Sequence, residues 1–524
     1  MDHSGAEHGP VARPLRSLTY RRGPDKRRRR WGAGLGVLLA LCGPAASLAA
    51  QALPPDEAWR TIDTEHFRVS FPDRLDALGR RAAVIAESAL ERLEESFIEA
   101  PDTRVEILLT DHVDTSNGSA SVAPYPRVVV YARPPVEGRA LSFHDDWLDL
   151  VIVHELAHIL HLDRAAGPGG VLRRLFGRVP ATWPFFPGSA TPRWVIEGLA
   201  TWYESSLTGS GRIEGSVFDM YLRTAALAGR LERVDQASGE TALWPAGQRP
   251  YAWGSLFFAW LLDRHGGARM ADFVEAVAGQ WIPYRLNAAA RDAFGTSFSD
   301  EWRMWTDSVS VAAREEAGRI ATRSELEPVE LLTRGARQMR RPRVSPDGSR
   351  LAVARADGRS DTGLSIRASG TSGAGEASDQ EIGWVRTNGL AAFDWLPDGG
   401  LLFSQFEREG PWRLYGDLYH VAPDGRERRL TEGARLDHPS AAPDGGWAAA
   451  IRTRAGATDL VRVDLDDGSL RVIAEGSSAV YWADPAVSPD GRWIAAARWT
   501  PGSVYQVVVL DAATGVVRVV ADDA

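Results

Sequence analysis

Residues 151–161 read VIVHELAHILH and carry the strongest chemical signal in the chain. Side chains four apart on a helix stand on nearly one face, so His154 and His158 can offer their imidazoles to a single metal ion. Glu155, about 100° around the helix, reaches a water held by that ion and can take its proton. The only cysteine is Cys42, so a metal must be held by His, Asp or Glu. A catalytic zinc needs three protein ligands and one open position. The stretch TPRWVIEGLATWYES (191–205) supplies the candidate third ligand, Glu197; read as a helix, it stands Glu197, Thr201 and Glu204 on one face.

The alternative for these residues is an ordinary packed or solvated helix. The apolar flanks VIV and ILHL weigh against it, because ionisable groups in such a run are costly to bury unless paired or metal-bound. His161, near one turn past His158, competes as a ligand. A three-histidine zinc site would read HExxHxxGxxH; here the glycine position is His161 and the last histidine position is Arg164. That pattern fails, and His161 is read as support or packing.

The elements that must position these groups form an α+β pattern from about residue 60 to 320. HFRVSF (66–71), RVEILLT (104–110) and RVVVYA (127–132) read as strands, residues 74–98 have helical spacing, and a helix is expected over 143–162. RVVVYA is expected to be the sheet edge along which an extended peptide lies. It carries no acidic residue to hold a substrate amino group, although Glu137 follows it, which favours endopeptidase over aminopeptidase action. The segment GPGGVLRRLFGRVPATWPFFPG (167–188) is turn-rich and apolar; packing on the domain explains it best, with a lid or a membrane-contacting loop as alternatives.

From residue 328 to 524 the character changes to short strands with Gly and Asp turns. A phrase recurs as VSPDGSRLAVA, WLPDGGLLFS, AAPDGGWAAAI and VSPDGRWIAAA, with prolines at Pro346, Pro397, Pro443 and Pro489, 51, 46 and 46 residues apart. Periods of this length mark propeller blades. Four phrases predict about four blades and an incomplete propeller.

The 524 residues are 44% hydrophobic and 25% charged, ordinary for a multidomain globular protein. Residues 1–52 hold a basic block (26–30, KRRRR), an apolar run (31–50) and a small-residue Ala50-Gln51-Ala52 site, which predicts a signal peptide or an uncleaved N-terminal anchor and an exported, periplasmic or extracellular protein. Cleavage near residue 52 would leave 51 basic and 66 acidic residues, a formal charge of −15, which makes nucleic acid an unsuitable partner. Membrane contact is expected only through an uncleaved N-terminal segment.

The pairing of HELAH with WVIEGLATWYE resembles the gluzincin metallopeptidases. The arrangement as a whole is similar to bacterial exported proteins that join a peptidase-MA-like domain to a TolB-like propeller, through TEHFRVSFP (64–72), NGSASVAPYPRVVVYARPP (117–135), the two helices and the SPDG blades. The resemblance implies an α+β zincin-like domain followed by an all-β propeller. It further implies Zn2+ on His154, His158 and Glu197, and Glu155 as general base. A gluzincin tyrosine at the oxyanion is implied as Tyr251, with Tyr203 and Tyr221 as competitors. Two departures stand out: the 39-residue gap from His158 to Glu197, and Thr201 where thermolysin-like enzymes have an outer aspartate. The resulting expectation is a zinc peptidase acting on peptides or proteins, whose propeller restricts access or binds a protein partner. The rival expectation is a non-catalytic binding protein working through its propeller, with a structural metal. A propeller-linked serine peptidase is set aside because no GxSxG occurs.

Overall fold

The computed structural model describes residues 54–136, 140–239, 244–323, 338–369, 381–389 and 391–520. The N-terminal segment and Glu137, about which the sequence made specific predictions, lie outside them. From Leu53 onward the chain is one compact unit with an α+β part and a four-bladed propeller.

The α+β part is built on a five-stranded sheet. Its strands are β1 (Trp59–Asp63), β2 (Phe67–Pro72), β3 (Val105–Thr110), β4 (Gly118–Ser121) and β5 (Arg127–Tyr131), in the order β1-β2-β3-β5-β4. β2, β3 and β5 run parallel; β4 runs antiparallel to β5 and forms the edge. RVVVYA is therefore an interior strand, not the edge expected from its sequence. Val128, Val129 and Val130 are all buried, as they must be in a strand covered on both faces.

The HELAH helix spans Trp147–Asp163 and starts later than residue 143, because the Asp146 side chain accepts from the backbone N–H groups of Leu148 and Asp149 and caps it there. Nearly every residue of this helix is buried. Arg81 and Arg92, from the helix Asp76–Ser96, pair with Asp146 and Asp149 and fix its first turn.

Two further helices complete the site, Arg193–Thr208 and Arg249–His265. They cross at Gly198 and Gly254, where a Cβ built on Gly254 would lie 2.1 Å from the Trp194 carbonyl oxygen. Trp194 is fully buried beside Phe257, Phe258 and Trp302, which binds the pair to the long helix Phe298–Arg323. Inside 167–188, read from sequence as turn-rich and apolar, a helix forms over Gly167–Phe176.

Each recurring SPDG phrase lies between the first and second strands of a blade, and every blade is a four-stranded antiparallel meander. The Asp carboxylates of the phrase, on Asp347, Asp398, Asp444 and Asp490, each accept the backbone N–H two residues on, at 2.9–3.1 Å. The glycine between them takes positive φ, 69° to 85°. The inner strands of all four blades line one axial cavity of about 780 Å³, and Arg341 of the first blade reaches Asp484 of the last at 3.5 Å.

Gly254→Ala is expected to wedge the two site helices apart and lower stability by about 1–3 kcal/mol, the usual cost of overpacking. A denaturant midpoint unchanged from the parent would contradict the close crossing.

Candidate active site

The three groups singled out from sequence meet at one point. His154 Nε2 and His158 Nε2 are 3.1 Å apart, and Glu197 Oε2 lies 3.4 Å from His158 Nε2 and 3.8 Å from His154 Nε2. Two donors that share one tetrahedral zinc at bonds of about 2.0–2.1 Å stand about 3.3 Å apart. The spacing therefore fits a single zinc-sized ion, and these three residues are the ones among the described residues that could hold it. His158 Nδ1 is buried with no hydrogen-bond partner.

Behind the ligands lies a carboxylate that the sequence had placed on the right face without a role. Glu204, two helical turns beyond Glu197, lies 2.8 Å from His154 Nδ1, so Nδ1–H donates to the carboxylate and the Nε2 lone pair faces the metal position. Arg212, just past the helix, donates to Glu204 from Nε at 2.8 Å and from Nη2 at 2.5 Å. The same Nη2 stands 3.0 Å from His154 Nδ1; since that nitrogen donates to Glu204, this second approach is not a hydrogen bond. Thr201, the outer-shell position suggested by the resemblance, has a buried hydroxyl with no partner. Glu204 supplies what Thr201 does not. The i, i+7 spacing of Glu197 and Glu204 was the available sequence signal; Arg212, in a turn, had none.

The electrostatics follow from burial and pairing. Burial pushes the His154 imidazolium down, but hydrogen bonds to Glu197 and Glu204 outweigh it and raise the group to about 9. Burial raises the Glu197 carboxyl, yet the two histidines hold it well below the usual carboxylate range. Glu204 is likewise opposed by burial and held at about 2 by Arg212 and His154. A cation replacing the proton at Nε2 would be met by the same carboxylates. Glu155 differs: burial dominates and pushes its carboxyl up, and Oε2 has no partner. His161 is fully buried outside the cluster with both ring nitrogens unpartnered, and burial lowers it to about 3. It packs as a neutral ring.

These groups line a cleft of about 470 Å³ whose wall is the edge strand β4. Gly118 permits this approach, since a Cβ there would fall 2.5 Å from Glu155 Oε1 and 2.7 Å from Val151 Cγ2. Of the three candidate tyrosines, Tyr251 lines the cleft, its ring 6.5 Å from that of His154 and 4.8 Å from the Arg212 guanidinium. Tyr203 is buried against Phe97, its hydroxyl donating to the Ser96 carbonyl. Tyr221 packs on Trp244 and lines a neighbouring cavity of about 640 Å³. That cavity shares Ser116, Leu141 and Gln248 with the cleft and reaches the propeller at Gln338, Arg340 and Phe406.

No protein-family model and no curated protein matches the chain. Solved structures similar to part of it include a putative TolB from Agrobacterium tumefaciens, at 22% identity over 37% of this chain and 70% of that one, with a TM-score of 0.32. TolB from Acinetobacter baumannii matches at 22% identity over 35% of this chain and 43% of its own, with a TM-score of 0.29. A puromycin hydrolase matches at 23% identity, 36% and 29% coverage, and a TM-score of 0.29. The chain spans less than half the length of the latter two.

Glu204→Ala leaves the buried Arg212 cation without its carboxylate and is expected to cost about 3–5 kcal/mol. Thr201→Ala, which removes an unpartnered hydroxyl, should cost under about 1 kcal/mol. Equal losses in chemical denaturation would contradict the assigned roles.

Proposed function

We propose that the protein is an exported zinc-dependent peptidase that hydrolyses peptide bonds with Glu155 as general base. The observation that carries this reading is the convergence of His154, His158 and Glu197 on one point, beside Glu155, a cleft-lining residue whose buried Oε2 has no hydrogen-bond partner. His154, His158 and Glu197 would hold the metal, leaving a position open to the cleft. A zinc ion bound there supplies a Lewis acid that acidifies water and polarises the scissile carbonyl.

The chain's own groups do the rest. Glu155 takes the proton of the attacking water and returns it to the departing amine; its raised pKa suits a group that must both accept and donate. β4 lies at an edge of the sheet with no strand on its outer side, and an extended substrate lies against it. Tyr251, over the cleft, donates a hydrogen bond from its hydroxyl to the developing oxyanion. The Glu204 carboxylate orients His154, and Arg212 holds that carboxylate. The propeller walls the cavity continuous with the cleft, so it narrows access and favours extended chains over folded ones. A metal kept only for structure would not require Glu155 at the cleft, which sets the binding-protein reading second.

Hydrolysis of a quenched-fluorescence peptide library by residues 53–524 with zinc tests the reading beside Glu155→Gln of measured metal content. The variant should retain the metal and lose about 10²–10⁴-fold or more of the turnover; a zinc-loaded variant as active as the parent would refute the base assignment. Peptides with blocked amino termini should be cleaved, as an endopeptidase requires, and cleavage restricted to free termini would overturn that part. Tyr251→Phe should lower kcat about a hundredfold with KM little changed, and an unchanged kcat would remove it from the chemistry.

A further inference from the structure

Two segments bordering the site helices leave large apolar side chains in solvent. The helix Gly167–Phe176 exposes Val171, Leu175 and Phe176, with Arg174 beside them. The turn after the helix Arg269–Ala278 exposes Trp281, Ile282 and Tyr284. Among the described residues, Trp281 (82% exposed), Tyr284 (79%) and Phe176 (65%) are the three most exposed aromatic side chains. Tyr284 is held outward with a φ of 67°, a conformation rare for a bulky residue.

The two segments adjoin at the start of the helix and through the loop that follows it. The Ala166 N–H donates to the Ala278 carbonyl at 3.2 Å, and a Cβ on Gly167 would lie 2.8 Å from the Gly279 carbonyl oxygen. Arg164 pairs with Glu275 across the same junction, and Trp183 and Tyr284 line one small cavity. The face also has a charge character of its own. Residues 164–192 and 276–291 contain six arginines and no acidic residue, in a chain of net charge −9. Arg173 and Arg178 bind Asp163 at the end of the HELAH helix, while Arg174 and Arg285 are exposed.

We propose that this face seats on an anionic lipid bilayer. Trp281, Tyr284 and Phe176 match the amphipathic aromatics that settle at the headgroup boundary, and Leu175 and Ile282 are the aliphatic tips that enter it. Arg174 and Arg285 meet anionic headgroups, and the carboxylate at the junction, Glu275, is paired with Arg164, so the exposed arginines set the orientation against an acidic remainder. Because Arg173 and Arg178 tie the exposed helix to Asp163, docking would fix the direction of the HELAH helix relative to the surface. The proposed contact is one of surface seating; no described helix is long and apolar enough to cross a membrane. This contact does not depend on any metal.

The test uses residues 53–524, one compact unit, which lacks the apolar stretch 31–50. Co-sedimentation is measured with vesicles of phosphatidylcholine alone or with about one-third phosphatidylglycerol. The parent should pellet with the anionic vesicles and be released by salt. Trp281→Ser with Tyr284→Ser, and Leu175→Ser with Phe176→Ser, should each lower the partition coefficient about tenfold or more. Arg174→Gln and Arg285→Gln should each lower it about fivefold. Val84→Ser, at an exposed valine on another helix, should leave it unchanged, and circular dichroism reports that every variant is folded. A parent that stays in solution with both vesicle types, or folded variants that pellet like the parent, would overturn the proposal. So would a parent dimer that these same substitutions dissociate, since the face would then belong to a second copy of the chain.

Discussion

The structure depends on one constraint: ionisable groups sit inside a helix that is apolar on nearly every side, and each must be paired there or, like His161, kept neutral. The compensation is a short buried chain in which Arg212 holds Glu204 and Glu204 holds the His154 ring. Removing any member leaves a charge or a polar atom stranded in low dielectric. The neighbouring architecture serves the same constraint. The helix carrying Glu197 and Glu204 must lie close to the HELAH helix and to the Tyr251 helix at once, and Gly198 and Gly254 let the latter pair approach to backbone contact. Gly118 lets the edge strand come down onto Glu155.

The propeller contributes more than a wall. The loop after β3 places Asp111 and Asp114 on Arg435 of the propeller, at 3.1 and 2.6 Å, and Val113 bridges to Leu414. Four residues past Asp114, β4 begins. Arg133, just past β5, pairs with Asp437 at 3.0 Å, and the Tyr505 hydroxyl donates to the Pro135 carbonyl. Both chain segments flanking the β4–β5 hairpin are thus pinned to blades. The strand that walls the cleft takes its position from the propeller as well as from its own sheet.

Much of this was legible in the residues. The i, i+4 histidines, the intervening glutamate and Glu197 were readable because metal chemistry restricts both residue type and spacing. The blades were readable because each turn needs the same Asp and Gly. What stayed hidden depended on tertiary packing. GSAS, the real edge strand, is short, small and polar, so it carries no strand signal, whereas RVVVYA looked like the better strand because it is buried on both faces, which is what makes it interior. Glu204 shared a face with Glu197, but its partner depended on how two helices pack. Arg212 lies in a turn with no periodicity to mark it. The helix start moved from Phe143 to Trp147 because a capping carboxylate, Asp146, decided the boundary over the apolar pattern.

The central claim is that the His154, His158 and Glu197 cluster is a zinc centre, and crystallographic anomalous scattering on either side of the zinc absorption edge tests it most directly. The account predicts one peak bonded to His154 Nε2, His158 Nε2 and a Glu197 carboxylate oxygen at about 2.0–2.2 Å, with Glu155 beside it and not bonded. A zinc-equilibrated crystal with no peak at these three residues, or with Glu155 as a ligand in place of Glu197, would contradict it.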